Sequence, residues 1–185
     1  MNTSTFRAAV VRTPGGPDSI EIIDAPGLEP GPGEVRVEIA AAPVNPVDLG
    51  VAGGLFHALG LVNQPEHTGL GWDFAGTVVA TGIDVDLTVG TQVAGMIPGF
   101  DRDFGTYAEQ LVVPVADLAV VPDGLDLVAA STVPLNGLAA AQIVDLLVLQ
   151  SRLWVVSSGA VVAVAGSLLV ASSPPGSGEG GVRVR

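Results

Sequence analysis

Apolar residues in the first two-thirds of the chain recur in short or alternating runs, separated by clusters of Gly, Pro and Asp. The alternation is clearest over residues 34–39, where charged residues alternate with Val35, Val37 and Ile39, as in a half-buried strand. The pattern predicts seven strands: Phe6–Arg12, Ile20–Asp24, Glu34–Ala42, Phe74–Thr81, Gln92–Ile97, Thr106–Val113 and Leu118–Val121. Many short strands at this spacing predict a mainly β fold, a barrel or a sandwich. Residues predicted in or near its core are Val10, Val35, Val37, Ile39, Val78, Val93, Leu111, Val113 and Val120.

The pattern changes after Asp123, where the chain becomes rich in Ala and Leu. Residues 125–130 and 135–149 predict a short and a longer helix separated at Pro134, and residues 152–156 predict a buried strand. This order is typical of the opening of an α/β unit, so we expect a second domain to begin here. The expected regions are a β domain over residues 1–124, an incomplete α/β segment over 125–172 and a disordered tail over 173–185.

Composition narrows the possible chemistry. The formal net charge is −12, with 19 acidic against 7 basic residues, so nucleic acid is not an expected partner. The absence of Cys excludes disulfides, thiolate nucleophiles and Cys-ligated metals, and two His make a protein-only zinc site unfavourable, so no metal is expected. The N-terminus lacks the charged stretch and long apolar run of a secretory signal, so a cytoplasmic location is the default expectation.

Six short motifs occur in the order typical of one superfamily. They are Phe6–Val11, Pro30–Val35, Pro43–Asp48, Gly71–Val78, Gly105–Glu109 and Val121–Leu125. In this register over residues 6–150, the chain resembles the medium-chain dehydrogenase/reductase superfamily, and most closely its zinc-free quinone oxidoreductase branch.

That resemblance implies a GroES-like, partly open β-barrel followed, in full-length members, by a Rossmann domain that binds NADPH. Residues 125–172 would then be a truncated, Rossmann-like segment. Members of the branch reduce quinones, enones or other activated double bonds by hydride transfer, with a small-molecule substrate in the cleft between the two domains.

Three polar residues are the candidate catalytic and binding residues. By the resemblance, Asn45 and Asp48 line the cleft, where Asn45 would bind a substrate carbonyl or the nicotinamide ribose of the cofactor. Alternatively, Asn before Pro and Asp at a helix N-terminus serve as turn and cap residues. Asp73 aligns with a carboxylate that stands beside the metal in zinc-dependent relatives, and is either a cleft carboxylate or a residue that ends a strand. Trp72 replaces the neighbouring His of those relatives.

Other residues have structural interpretations. His57 and His67 lie in the loop that covers the cleft mouth in the family, and we expect solvent-facing loop residues rather than general bases. Tyr107 is expected in the core. Two cleft side chains that the family usually carries, a Tyr and an Arg, are replaced by Gly50 and Ala52.

The cofactor site departs furthest from the family pattern. A dinucleotide site needs closely spaced glycines where a strand meets a helix. Residues 157–166 keep Gly159, the one candidate cofactor residue there, but place Val or Ala where close backbone approach requires Gly. We therefore expect that this chain alone does not bind NADPH in the family manner.

The C-terminal sequence leaves alternatives open. The abrupt change after Gln150 favours a frame change or truncating rearrangement, against ordinary divergence. Residues 153–172 are uncharged and long enough to span a bilayer, but their Ser and Gly content makes a membrane anchor the weaker interpretation. Residues 135–172 are expected to pack against another copy, a complementary chain or a membrane, or to aggregate.

Two function classes and a non-functional alternative follow. The first is a truncated NAD(P)H-dependent quinone or enone oxidoreductase that is inactive or needs a complementary chain. The second is a cofactor-free binding module or acid–base enzyme, an isomerase or cyclase, that uses Asp48, Asp73 or a loop His. The third is a remnant that folds without activity.

Overall fold

The computed structural model describes residues 5–64 and 66–148. Its strands are β1 Thr5–Val11, β2 Ile20–Pro26, β3 Glu34–Ala41, β4 Thr68–Gly69, β5 Asp73–Thr81, β6 Gln92–Met96, β7 Gln110–Pro114 and β8 Leu118–Val120. Its helices are α1 Pro46–Ala52, α2 Leu55–Ala58, α3 Leu127–Ser131 and α4 Pro134–Val148. The predicted mainly β fold is confirmed, with α-helices only between β3 and β4 and after β8 in the described residues.

The strands form two antiparallel sheets. One has the order β2-β1-β4 and the other the order β7-β3-β5-β6-β8. An isolated bridge between Ala8 and Ala108 joins β1 to the segment that leads into β7. Clustering of contacts divides the chain into two units, Met1–Pro134 and Leu135–Arg185, and all eight strands belong to the first.

The core of the first unit lies on the inner face of the larger sheet. Val35 and Val37 of β3 are fully buried, while Glu38 between the strand's apolar residues is exposed. Side chains of the neighbouring strands complete the cluster: Phe74, Val78, Val93, Leu111 and Val113. Each such side chain stabilises the fold by about 1.5–3 kcal/mol relative to full exposure, so this cluster dominates the stability of the unit.

The core prediction is wrong at Val120. That residue is 57% exposed, whereas the next residue, Val121, is 7% exposed and packs with Ala75 and Ala130. β8 has only three residues and lies at a sheet edge. In so short a strand the sequence pattern does not fix which residues face the core, and the prediction was off by one position. Ile39 is partly buried against the same core as Val35 and Val37, as predicted.

Two further expectations concern the C-terminal part. The predicted helix over 135–149 is α4, Pro134–Val148, with Pro134 at its first turn rather than before it. Within the part of the chain that the structure describes, no helix has the length and apolar character to cross a membrane. The predicted strand over 152–156, the possible span over 153–172 and the tail over 173–185 lie outside the described residues.

Candidate functional site

The site begins at the turn between β3 and α1. Asn45 precedes Pro46, which restricts it to extended backbone, and it adopts φ −112° and ψ 158° as the N-cap of α1. Pro46 starts the helix, where its missing N–H costs nothing. Asp48 occupies the third helical position, and its Oδ2 accepts a hydrogen bond from the Asn45 backbone N–H at 2.8 Å. Asp48 therefore caps α1 together with Asn45 in a capping box.

The three predicted site residues come together in one buried cluster. The Asn45 side-chain amide donates to Asp73 Oδ2 at 3.0 Å. Asp73 is the first residue of β5, at a strand terminus, and is 0% exposed, with Asp48 at 3% and Asn45 at 6%. Their functional role stays a prediction, but their proximity gives it a physical basis. A buried carboxylate needs donors, and Asn45 is one donor to Asp73.

Tyr107 is the first member of the cluster that the sequence analysis missed. Its hydroxyl lies 2.9 Å from Asp48 Oδ2 and 3.0 Å from the Pro43 carbonyl oxygen, and can donate to either. Burial raises the pKa of Tyr107, and the carboxylates of Asp48 and Asp73 raise it further. The phenol is thus a neutral donor at physiological pH. Tyr107 is half-buried and packs against the cluster around Val51 and Leu70, which agrees in part with its predicted place in the core.

Arg102 is the second missed member. Its Nη2 donates to the Gly71 carbonyl at 2.7 Å and its Nη1 donates to the Ile97 carbonyl. The guanidinium lies over the Trp72 ring, 5.7 Å from its centre. Burial lowers the pKa of Arg102 to about 10, while Asp48 acts in the opposite direction, so the side chain remains charged at neutral pH. No periodicity in its loop singles Arg102 out, because its hydrogen bonds are to main-chain carbonyls, which carry no sequence pattern.

Aromatic side chains fill the space that two family cleft residues would use. A Cβ at Gly50 would lie 2.6 Å from Phe56 Cε2, so the ring of Phe56 occupies that space. The ring of Phe56 stacks on that of Phe100 with 4.3 Å between the ring centroids, and the centroid of the Phe100 ring lies 5.4 Å from that of Trp72. Ala52 is 2% exposed beneath this group. The two replaced positions are therefore apolar and filled.

Both histidines, predicted to be solvent-facing loop residues, are partly buried. His57 lies in α2 and is partly buried, and His67 is partly buried with its ring 5.7 Å from Phe104. Neither ring nitrogen of His67 has a hydrogen-bond partner within the described ranges. Gly159, the candidate cofactor residue, lies outside them. Residues 5–64 and 66–148 contain no group of three or more His, Asp or Glu side chains placed to hold a metal ion.

Comparison with known proteins shows the family to which the chain is similar. Residues 31–123 match the model of the alcohol dehydrogenase GroES-like domain. The chain is 38% identical over 125 residues to a quinone oxidoreductase of Pseudomonas aeruginosa, covering 67% of this chain and 36% of that protein. It is 35% identical over 121 residues to a 2-haloacrylate reductase of a Burkholderia species, covering 65% and 34%.

Solved structures agree as well. The quinone oxidoreductase from Coxiella burnetii superposes with a TM-score of 0.69 at 27% identity, over 77% of this chain and 45% of that one. The fold defines a GroES-like domain with a buried polar cluster of Asn45, Asp48, Asp73 and Tyr107. The chain belongs to the medium-chain dehydrogenase/reductase superfamily, in its quinone oxidoreductase-like branch. It spans about a third of the length of the curated relatives that it matches.

Proposed function

We propose that this chain supplies the substrate-side barrel of a zinc-independent, NAD(P)H-dependent reductase of quinones, enones or other activated double bonds. The names of two relatives support this class, because a quinone and a 2-haloacrylate both carry a C=C bond conjugated to a carbonyl or carboxyl group. The chain spans about a third of the length of these relatives and would correspond to one part of such an enzyme.

The observation that carries the proposal is the contrast between a buried polar cluster and exposed apolar neighbours. Asn45 and Asp48 are fixed inside, whereas Val44 and Leu49, their immediate neighbours in sequence, are 70% and 57% exposed. The hydrogen bonds to Asp73 and Tyr107 hold this segment in one conformation. The segment thus presents an apolar surface on a rigid base, which suits a flat and largely apolar acceptor.

The charges favour an uncharged acceptor over a carboxylate. Arg102 is a cation that interacts electrostatically with Asp48, and its two terminal nitrogens donate to the Gly71 and Ile97 carbonyls. Asp48 and Asp73 stand nearby and would repel an anion. We therefore place quinones and enones ahead of acrylate-type acids as substrates.

The described residues do not fit a nicotinamide cofactor. A dinucleotide cradle forms where a parallel strand turns into a helix, and the strand pairs described here are all antiparallel. The Asn45 amide, which the resemblance assigns to the cofactor or substrate, donates to Asp73 and is almost completely buried. We propose that the cofactor is held by a second domain, on a longer polypeptide or on a complementary chain.

The cofactor-free acid–base alternative is less favoured by the same contacts. Proton transfer to a ligand requires a carboxylate within reach of it. Asp48 and Asp73 are 3% and 0% exposed, and both accept hydrogen bonds inside the cluster. The cytoplasmic location and the association through residues 135–172 also stay predictions.

Fluorescence of Trp72 tests the proposal. The chain has two Trp, so Trp154→Phe leaves Trp72 as the sole reporter beside the site. We expect a soluble para-quinone to quench it with saturation, and a neutral enone to compete more strongly than acrylate. Val44→Ser should weaken quinone binding, whereas Val89→Ser should not, although Val89 is similarly exposed at 63%. Quenching that stays linear in quinone concentration, or equal effects of the two variants, would refute the proposal.

A further inference from the structure

Tyr107 connects both sides of the N-cap of α1. Its hydroxyl lies within hydrogen-bond distance of the Pro43 carbonyl, two residues before Asn45, and of the Asp48 carboxylate, three residues after it. A single hydroxyl therefore contacts the chain on each side of the residue whose amide meets Asp73. The contacts cross 64 and 59 positions of sequence, so they hold α1 to a distant part of the barrel.

The frame around Tyr107 is rigid. Its backbone carbonyl accepts from the Ala9 N–H at 2.7 Å, and its N–H donates to the Leu70 carbonyl at 2.9 Å. Gly71 lies so close that a Cβ there would be 2.5 Å from Tyr107 Cδ1. The Tyr107 backbone is thus bonded to β1 and to the segment between β4 and β5, and the close approach of Gly71 restricts its ring. This fixed base is what a positioning residue requires.

The Asp48 carboxylate depends on that hydroxyl. Asp48 Oδ2 accepts from the Asn45 N–H and is 2.9 Å from the Tyr107 hydroxyl, while Asp48 Oδ1 is buried with no hydrogen-bond partner in the described part of the chain. A buried carboxyl group with so few hydrogen-bond partners relies strongly on each of them.

We propose that Tyr107 is a positioning residue: its single hydroxyl proton is donated to Asp48 or to the Pro43 carbonyl, the two acceptors beside it, and this contact fixes Asn45 and the exposed Val44 for ligand binding. The ligand-binding part of this inference rests on the proposed function. The effect on Asn45 does not, and it can be measured in the free protein.

Tyr107→Phe removes the hydroxyl and keeps the ring. We expect hydrogen exchange of the Asn45 backbone amide to accelerate roughly tenfold or more, and quinone affinity, followed through Trp72, to fall by a similar factor. The matched control is Thr106→Val, because the Thr106 hydroxyl is buried next door but has no hydrogen-bond partner in the described part of the chain. That variant should change neither quantity. A merely structural role of Tyr107 would lower overall stability without a selective effect at Asn45.

The outcomes separate the two proposals. Unchanged exchange at Asn45 in Tyr107→Phe, or equal changes in Thr106→Val, overturns the positioning role. If the parent chain shows no saturable quinone binding, the proposed function alone is overturned. The exchange result at Asn45 then still decides whether Tyr107 is a positioning residue. If Tyr107→Phe does not fold, Asp48→Asn tests the same hydrogen bond from its acceptor side. It should accelerate Asn45 exchange and lower the pH at which the tyrosinate absorbance appears.

Discussion

The Asn45 side-chain amide donates to the Asp73 carboxylate at 3.0 Å, joining the first turn of α1 to the first residue of β5 across 28 positions of sequence. Both residues are buried and have lost the hydrogen bonds to water that they make in the unfolded chain, and the bond between them compensates for that loss. It fixes the direction in which the chain enters α1 after leaving the large sheet. Because the candidate site is built on that entry, its geometry depends on this bond.

Removing the Asn45 amide should destabilise the barrel. Asn45→Ala leaves the buried Asp73 carboxylate without this donor, and we expect the free energy of unfolding to fall by about 1–3 kcal/mol. Urea denaturation followed by far-ultraviolet circular dichroism measures the change. Gln92→Ala removes a comparable amide from an exposed position at the start of β6 and should be near neutral. Similar losses in both variants would show that the Asn45–Asp73 bond contributes nothing specific.

Gly71 is required for the close approach of the Arg102–Tyr107 segment. Its φ is +90°, and a Cβ would lie 2.5 Å from Tyr107 Cδ1 and 2.8 Å from the Tyr107 backbone nitrogen. We expect Gly71→Ala to cost about 2–5 kcal/mol, from backbone strain and from overpacking together. Gly90→Ala is the control, because Gly90 has φ +95° but open space where its Cβ would be. It should lose only the strain, about 1 kcal/mol. Thermal unfolding of both variants distinguishes the two contributions, and equal losses would refute the steric argument.

Much of the barrel follows from sequence because local and tertiary preferences agree there. The alternation around Val35 and Val37 predicts a strand with one buried face, and the structure confirms both. The prediction and the structure differ where backbone hydrogen-bond partners come from segments distant in the sequence. Thr106–Val113 was predicted as one strand, yet β7 begins at Gln110. Residues 106 and 107 instead bond to the Gly71 and Leu70 carbonyls outside any strand.

Three members of the site, Asn45, Asp48 and Asp73, could be predicted from the sequence, but Tyr107, Arg102 and the contacts between the members could not. A motif placed Asn45 and Asp48 near each other, since only two residues separate them at the first turn of the helix. Nothing in the sequence shows that Asp73 and Tyr107 reach them, because that depends on how β5 and the segment before β7 are placed. Arg102 was missed for the same reason: its side chain reaches main-chain carbonyls, which carry no sequence signature.

Tyr107 should titrate at unusually high pH. It is the only Tyr in the chain, so tyrosinate absorbance reports on it directly. Burial and the carboxylates of Asp48 and Asp73 raise its pKa above the ordinary value of 10.0. A raised pKa in the folded state contributes stability that is fully present below pH 10, and that is lost as the pH rises through the folded-state pKa.

Tyrosinate absorbance measured immediately after a rapid jump to high pH reports on Tyr107 in the folded protein, before alkaline unfolding occurs. We expect little tyrosinate absorbance at first, followed by its appearance at the rate of unfolding. Asp73→Asn removes one negative charge and should move ionisation to lower pH, whereas Asp84→Asn, in the turn after β5, should not. Immediate ionisation near pH 10 in the parent chain would contradict the buried contact with Asp48.

The chain by itself should bind NADPH weakly or not at all. Residues 161–164 are Val or Ala where a pyrophosphate cradle needs Gly, so backbone amides cannot approach the phosphates. Isothermal titration of the 185-residue chain with NADPH checks this. Val161→Gly together with Val162→Gly tests whether glycine alone restores the site, and we expect no recovery because the adenosine pocket requires further strands. Micromolar binding by the parent chain would refute the prediction.

Residues 135–172 should govern association. In the described part of this region, Leu138 and Ile143 of α4 are 48% and 46% exposed, and such apolar side chains favour contact with another surface. Because α3 packs with Ala75 and Val121, a shortened chain should end at Pro134 rather than at Gly124. Light scattering should then show larger species for the full chain and a monodisperse monomer for the shortened one.

Leu138→Glu should reduce the association, and Gln142→Glu, which adds the same charge at an exposed polar position, should reduce it less. A full chain that is monomeric and no less soluble than the shortened one would show that this region covers its own apolar surface.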